Sequence, residues 1–297
     1  MSDINTFIAF KNVVKMMGMR GYDISEYADI KDLSLNEFKN KIMEDRQTNI
    51  QKFITSLGKH IFRSLCSFML EINQKIVKVD GEILKIDGKA NNTILYINDR
   101  TVEIRGDIIK VDGIQVNDID IIRQKAVIYF SSNDINEYQN TPVSEIKIFS
   151  RIILNFTDSY DDYKKECIFI YPSELTSDAE KNLETLKNTT SYNIQIFSED
   201  FLLYDPLKCE RLCNVRLLSK KESEALLKTN NILRNQLAKQ PHNEIIAKYL
   251  NANIGQIIEY IRIEEIPNTI AKSLMYYRIV SPDVDNKLIS ARKTKKT

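Results

Sequence analysis

Between residues 75 and 124 one local pattern recurs: short runs of Ile and Val are interrupted by Asp-Gly, at 80–81, 87–88 and 112–113. A two-residue type I′ hairpin needs φ > 0 at both central positions, and Asp-Gly between alternating apolar residues is a strong short-range signal for it. The stretches KIVKVDGEILKIDGK, NNTILYINDRTVEIRGD and DIIKVDGIQVND therefore predict a compact β-meander of four to six strands. The repeat is short and imperfect, unlike that of a solenoid. Asp80 and Asp87 stand alone in their turns, whereas a calcium loop gathers several oxygens within about a dozen residues and closes on a Glu. Turn chemistry is the better reading.

The flanks of this meander have other periods. On one helical face, residues 6–20 place Phe7, Phe10, Val13, Val14 and Met17, with Gly21 positioned as a C-cap. Ser34 and Glu37 form a capping-box pattern before a short helix running to Met43. Ile50, Phe53, Ile54, Leu57, Ile61, Leu65, Met69 and Ile72 recur every three or four residues and predict one amphipathic helix over Gln47–Glu71, with Gly58 inside it. After the meander, AVIYFS at 126–131 and CIFIY at 167–171 read as buried strands, and Val143–Leu154 as strand or helix. A helix is expected over Ser177–Lys187 with Ser177 as N-cap, then a strand over Asn193–Phe197. Strand–helix–strand alternation implies a small α/β layer structure.

A further unit follows Leu207. Val215–Leu218 is strand-like, Ser219 and Glu222 frame a helix to Lys228, and NILRNQL, HNEIIAKYL, IGQIIEYIRI and MYYRIV follow in order. The chain's 297 residues suit two domains. A 43% hydrophobic and 28% charged composition is that of a globular chain. A net charge of +1 supplies no global field for nucleic acid. The basic end is local: Lys287, Arg292, Lys293, Lys295 and Lys296 fall in a tail, 281–297, expected to lack order.

Cys66 and Cys167 are isolated, and Cys209 and Cys213 lack two further zinc ligands nearby, His60 and His242 being distant in sequence. Free thiols and no metal or other cofactor are expected. No apolar run reaches membrane-spanning length and the first twenty residues lack a leader pattern, so an intracellular, soluble protein with no membrane partner is expected. One enzyme reading stands as an alternative. Asp134 precedes Glu145-Ile146-Lys147, an E-x-K on a candidate strand, and two carboxylates with a Lys can organise a divalent ion and a water for DNA cleavage. A free-standing DNA- or protein-binding module is the other alternative.

The ordered segments LLSKKESEALLK, LRNQL at 233–237, IIAKYL at 245–250, GQIIEYIR at 255–262 and YYRIV at 276–280 carry a family resemblance. Together they resemble the assembly domain of the fifth common subunit of eukaryotic RNA polymerases, a domain that in archaeal polymerases stands alone as a small polypeptide. The N-terminal FKNVVKMMGMRGYDIS, with its Arg20-Gly21-Tyr22 turn, and LSLNEFKNK resemble the family's first two helices. LTSDAEKNL at 175–183 resembles its Thr-Pro-Ser-Ala loop and helix, with Asp178 and a shifted order as departures. Ala238 stands where the family has Pro, Asn251 where it has Gly, and RIEEIPNTIAKS at 262–273 is longer than the family's loop.

The resemblance implies a non-catalytic scaffold subunit of a DNA-dependent RNA polymerase and an α+β fold. A three-layer, nuclease-like N-terminal jaw domain is expected over 1–44 and 125–207. An insertion of long helix plus β-hairpins is expected at 45–124, and a small α+β assembly domain at 208–280. The implied partners are the largest polymerase subunit, other polymerase subunits and nearby downstream duplex DNA. Residues 75–124, which the family does not account for, are open to a lineage-specific partner. Arg262, Tyr276, Tyr277 and Arg278 are expected at the subunit interface, Arg for its planar fork and Tyr for its amphipathic ring. Thr176, Ser177 and Lys181 are expected near DNA, where a helix N-terminus and hydroxyls can meet phosphate. The Ile-, Asn- and Lys-rich usage and the insertion point to a large DNA virus, with virion and host cytoplasm as location; a cellular version would be nuclear.

Overall fold

A computed structural model describes residues 2–44, 48–57, 62–79, 82–87, 92–97, 99–105, 108–116, 119–132, 140–157, 164–172, 174–207, 212–264 and 272–282. The chain divides into two compact units, one of residues 1–7 and 21–199, the other of residues 8–20 and 200–297. Helix α1 (Ser2–Met19) opens the chain, and Gly21 just beyond it has φ +90°, the left-handed conformation expected of a C-cap glycine. A 3-10 turn (Ser25–Asp32) and helices α2 (Leu35–Glu44), α3 (Asn49–Ser56) and α4 (Phe62–Leu65) follow. Then come strands β1 (Phe68–Val79), β2 (Glu82–Asp87), β3 (Thr93–Ile97), β4 (Arg100–Arg105), β5 (Ile108–Val111), β6 (Ile114–Val116) and β7 (Ile119–Phe130). The first unit ends with β8 (Asn140–Thr141), α5 (Val143–Thr157), β9 (Lys164–Tyr171), β10 (Glu174–Leu175), α6 (Ser177–Thr189), β11 (Asn193–Ser198) and the start of α7 (Glu199–Leu202).

The main sheet of the first unit has the order β11-β9-β7-β1-β2. Its β11, β9 and β7 are parallel, and β1 and β2 continue it antiparallel. Val127 and Tyr129 of β7 and Cys167 and Phe169 of β9 face a cluster with Ile50 and Ile54 of α3, Ile146, Phe149 and Ile152 of α5, and Ala179 and Leu183 of α6. The alternate residues Ile128, Phe130, Ile168 and Ile170 are equally buried, so both sheet faces are covered. That is why AVIYF and CIFIY are continuous apolar runs: strands covered on both faces lose the polar half of the alternation. On this second face Tyr22 Oη donates to Glu166 at 3.1 Å, and the Tyr27 and Phe68 rings lie 5.0 Å apart.

The single helix expected over Gln47–Glu71 is corrected. The segment forms α3, α4 and the beginning of β1; Gly58 lies outside the described residues. Phe68, Leu70 and Ile72 also satisfy a period of two, and Phe68–Ile72 pairs with Ile128–Gln124 of β7. Pairing into a sheet covered on both faces outweighs the helical spacing. Region 45–124 thus supplies β1, a strand of the main sheet.

The meander expected from the Asp-Gly pattern is present. Strands β3-β4-β5-β6 form an antiparallel sheet, and Val102, Ile104, Ile109 and Val111 pack with Val77 of β1 and Leu84 and Ile86 of β2. Val111 faces Ile114 across Asp112-Gly113, whose φ values of +51° and +82° are those of a type I′ turn. The Asp112 carboxylate accepts from Thr101 N at 2.9 Å and Arg100 Nη1 at 3.3 Å, which fixes the turn to the neighbouring hairpin. Asp80-Gly81 and Gly88 lie outside the described residues.

The second unit contains β12 (Leu212–Leu217), α8 (Lys220–Thr229), a 3-10 turn (Arg234–Gln236), β13 (Ala238–Pro241), α9 (Ile245–Tyr249), β14 (Ile257–Glu264) and β15 (Lys272–Ser281). Its sheet order is β12-β14-β15-β13, antiparallel except for β13 against β15. Val215, Ala247, Ala252, Ile258, Tyr260 and Val280 form its core. Residues 8–20 of α1 belong to this unit. Asn12 Nδ2 donates to Leu202 O at 2.7 Å, Lys15 pairs with Asp205, and Tyr249 Oη donates to Asn12 O at 3.4 Å. Arg20 donates from Nε to Tyr249 O at 3.0 Å and from Nη2 to Lys248 O at 2.6 Å, satisfying carbonyls at the end of α9.

Candidate subunit interface

In an antiparallel sheet, side chains alternate between faces, and this sorts the four expected interface residues of the second unit. Tyr276 and Arg278 share the core face of β15; Tyr277 points to the opposite face. Tyr276 lies directly across from Tyr260 of β14, and the rings stack with centroids 4.8 Å apart and an interplanar angle of 4°. The Arg278 guanidinium sits over both, 5.8 Å from the Tyr260 centroid and 5.9 Å from that of Tyr276. Tyr260 Oη donates to Oε1 of the fully buried Gln240 on β13. Burial pushes the Tyr260 phenol up to about 12, so it is a neutral donor at any ordinary pH. Arg262 is paired with Leu274 on β14/β15, and its side chain lies outside the described residues.

The aromatic seat holds the Arg278 cation against π faces while leaving the in-plane N–H fork open to acceptors. Among the described residues no ion pair occupies it. Gln240 anchors this seat from an edge strand, and sequence reading passed over it. Its Gln-x-x-Asn surroundings look like a turn, and only the register Gln240↔Val280 brings it under Tyr260.

The opposite face carries a different set. Arg216 donates to Glu259, and from Nη1 to Glu222 Oε1 at 2.6 Å. Glu222 in turn accepts from Ser219 N at 2.8 Å and donates its backbone N–H to Ser219 Oγ at 3.2 Å, completing the expected capping box. Arg216 first, then the Ser219 backbone, holds the Glu222 carboxyl down at about 2. Tyr277 Oη donates to Met275 Sδ at 2.8 Å, beside a Met275 that is 56% exposed.

The remaining expected residues fall in the first unit. Thr176, not Ser177, is the N-cap of α6: its hydroxyl accepts from Ala179 N at 3.2 Å, and Ser177 is the first helical residue, exposed. The cap moves by one because Thr176 has extended φ and ψ while Ser177 is already helical. Lys181 lies 3.7 Å from Asp178, both well exposed.

The E-x-K reading is corrected. Glu145 lies in the first turn of helix α5 and Lys147 just beyond it, not on a strand. Two residues along a helix point apart, and Lys147 is exposed while Glu145 is fully buried. The Glu145 carboxylate accepts from Ser132 N at 2.8 Å, Ser132 Oγ at 2.6 Å and Tyr129 Oη at 2.8 Å. Those donors occupy the oxygens that a metal would need. Asp134 lies outside the described residues. Cys66 and Cys167 are buried free thiols, the latter pushed up to about 12 by burial. Among the described residues no helix is long and apolar enough to cross a membrane.

A four-stranded sheet with the short helices α8 and α9, and an Arg seated on stacked tyrosines, defines the second unit as a small α+β domain. Residues 205–280 match the family described as RNA polymerase Rpb5, C-terminal domain. This segment is a domain of that family, which indicates an RNA polymerase subunit. No curated protein matches the chain.

Proposed function

We propose that the chain is a non-catalytic subunit of a multisubunit DNA-dependent RNA polymerase, anchored to the largest subunit through residues 208–280. The match over 205–280 carries this reading. Tyr276 and Arg278 are the anchoring groups on one sheet face, and Tyr277 and Arg262 extend the contact. An Arg on an aromatic seat suits such a role, because stacked Arg and Tyr dominate the binding energy of many protein interfaces. The first unit serves as part of the lower jaw, with the α6 N-terminus, Thr176, Ser177 and Lys181 facing downstream duplex DNA. Residues 75–124 offer surface to a lineage-specific partner. The Ile-, Asn- and Lys-rich usage and this added segment support a large DNA virus as the source, and so virion and host cytoplasm as the site of action.

The test is affinity purification of the tagged full chain from its source. The two largest polymerase subunits are expected in the eluate, and their absence would overturn the proposal. Arg278→Glu should lower capture of the largest subunit about tenfold or more, as expected for a central interface Arg. Thr176→Ala should leave capture unchanged.

A further inference from the structure

The meander carries a feature that the polymerase reading does not use. Strand β3, of sequence TILYI, is an edge strand: the sheet order is β3-β4-β5-β6, and among the described residues nothing pairs with its outer side. Edge strands are commonly guarded by Lys, Pro, inward charges or bulges, because their unpaired N–H and C=O groups template further pairing. None of these occurs in Thr93–Ile97, and the register with β4 is uninterrupted.

The register fixes which backbone groups face outward. Ile97 faces Arg100 across a two-residue connection, so that closing pair is hydrogen-bonded, as are Leu95↔Val102 and Thr93↔Ile104. Ile94 and Tyr96 therefore turn their N–H and C=O groups away from β4. Their side chains lie on the outer face, 54% and 82% exposed. On the inner face, Leu95 and Ile97 sit at the margin of the meander core and are only half-buried.

We infer that β3 pairs with β3 of a second copy of this chain, antiparallel about a two-fold axis at Leu95. The strand is complementary to itself in this register. Ile94 meets Tyr96 of the other copy as a hydrogen-bonded pair, twice, and Leu95 meets Leu95 as the non-hydrogen-bonded pair between them. Each outer-face contact becomes an aromatic–β-branched cross-strand pair, a favourable combination. The inner-face Leu95 and Ile97 gain cover at the core margin. Along the outer face Glu103 flanks Ile94 and Thr101 flanks Tyr96, so no like charges are brought together. The interface is isologous and closed, and it joins two four-stranded sheets into one of eight. The inference stands on the sheet edge alone and is independent of the polymerase assignment.

One five-residue strand pair buries less than the roughly 1,200 Å² of a stable complex, so the dimer is weak and exchanges with monomer over about 10–1,000 µM. Sedimentation equilibrium of the full chain should show concentration-dependent dimer in that range. Amide exchange should show the Ile94 and Tyr96 N–H groups gaining protection as concentration rises. Ile94→Lys and Tyr96→Glu, both at exposed positions, should each weaken the dimer about tenfold or more. The double variant should recover it, because the introduced ammonium then faces the introduced carboxylate of the other copy. A chain monomeric throughout the range would overturn the inference. So would a dimer indifferent to the single variants, or singles that weaken it without rescue in the double. A peptide of residues 92–99 that binds the chain while the chain itself stays monomeric would assign the edge to a foreign strand instead.

Discussion

Buried polar side chains carry the sharpest consequences at the scale of single residues. Arg63 is buried in the first unit, donating from Nε to Ser131 O at 2.7 Å, from Nη1 to Thr6 Oγ1 at 3.1 Å and to the Glu199 carboxylate. Removing one partner of such a pair strands the other charge. Arg63→Ala should therefore cost about 3–5 kcal/mol in urea unfolding, and Arg63→Met with Glu199→Leu should cost much less. Glu222 gives a pH-dependent counterpart on the surface. Its folded carboxyl lies below the ordinary 4.5, at about 2. The stabilisation it adds is full above the unfolded value and is lost as pH falls through about 2. Carboxyl NMR titration should show the low midpoint, and Arg216→Ala should move it upward, because Arg216 is the principal cause.

Caps and turns decide matters at the scale of elements. Thr176→Ala should destabilise by about 1 kcal/mol, and Ser177→Ala by only a few tenths, as thermal unfolding will show. Gly113→Ala should cost about 1–2 kcal/mol, all of it backbone strain, since a Cβ there meets no atom within 4 Å. These elements also show what a sequence conveys. The Asp112-Gly113 hairpin and the Ser34–Glu37 and Ser219–Glu222 capping boxes are legible because a few adjacent residues supply the whole signal. The Ser34 pair forms with a 2.6 Å hydroxyl–carboxylate bond. The stretch 68–72 was not legible, because its residues fit both periods and only the distant β7 decides between them. The same holds in the sheet of the second unit. Tyr276 and Arg278 were visible as residue types, but Gln240 enters through strand register alone. Glu145 read as a metal-holding carboxylate because Ser132 and Tyr129, which occupy it, are identified only by the fold.

At the scale of the whole molecule, the second unit is not one stretch of chain. Its sheet follows residue 200, but residues 8–20 of α1 belong to it, with Arg20 on the α9 carbonyls 228 and 229 residues away. A fragment beginning at Asp200 should therefore be less stable than the same unit in the full chain. Hydrogen exchange at α9 should reveal it, with Arg20→Ala in the full chain reproducing part of the loss. This arrangement also sets a schedule for synthesis. The α1 face bearing Phe10, Val13 and Met17 is made well before the rest of its unit: Leu202, the hydrogen-bond partner of Asn12, follows 190 residues after it. At about 5–20 residues per second, that apolar surface waits some ten seconds or more for its unit to exist. That face of α1 is thus one that a chaperone would shield during synthesis.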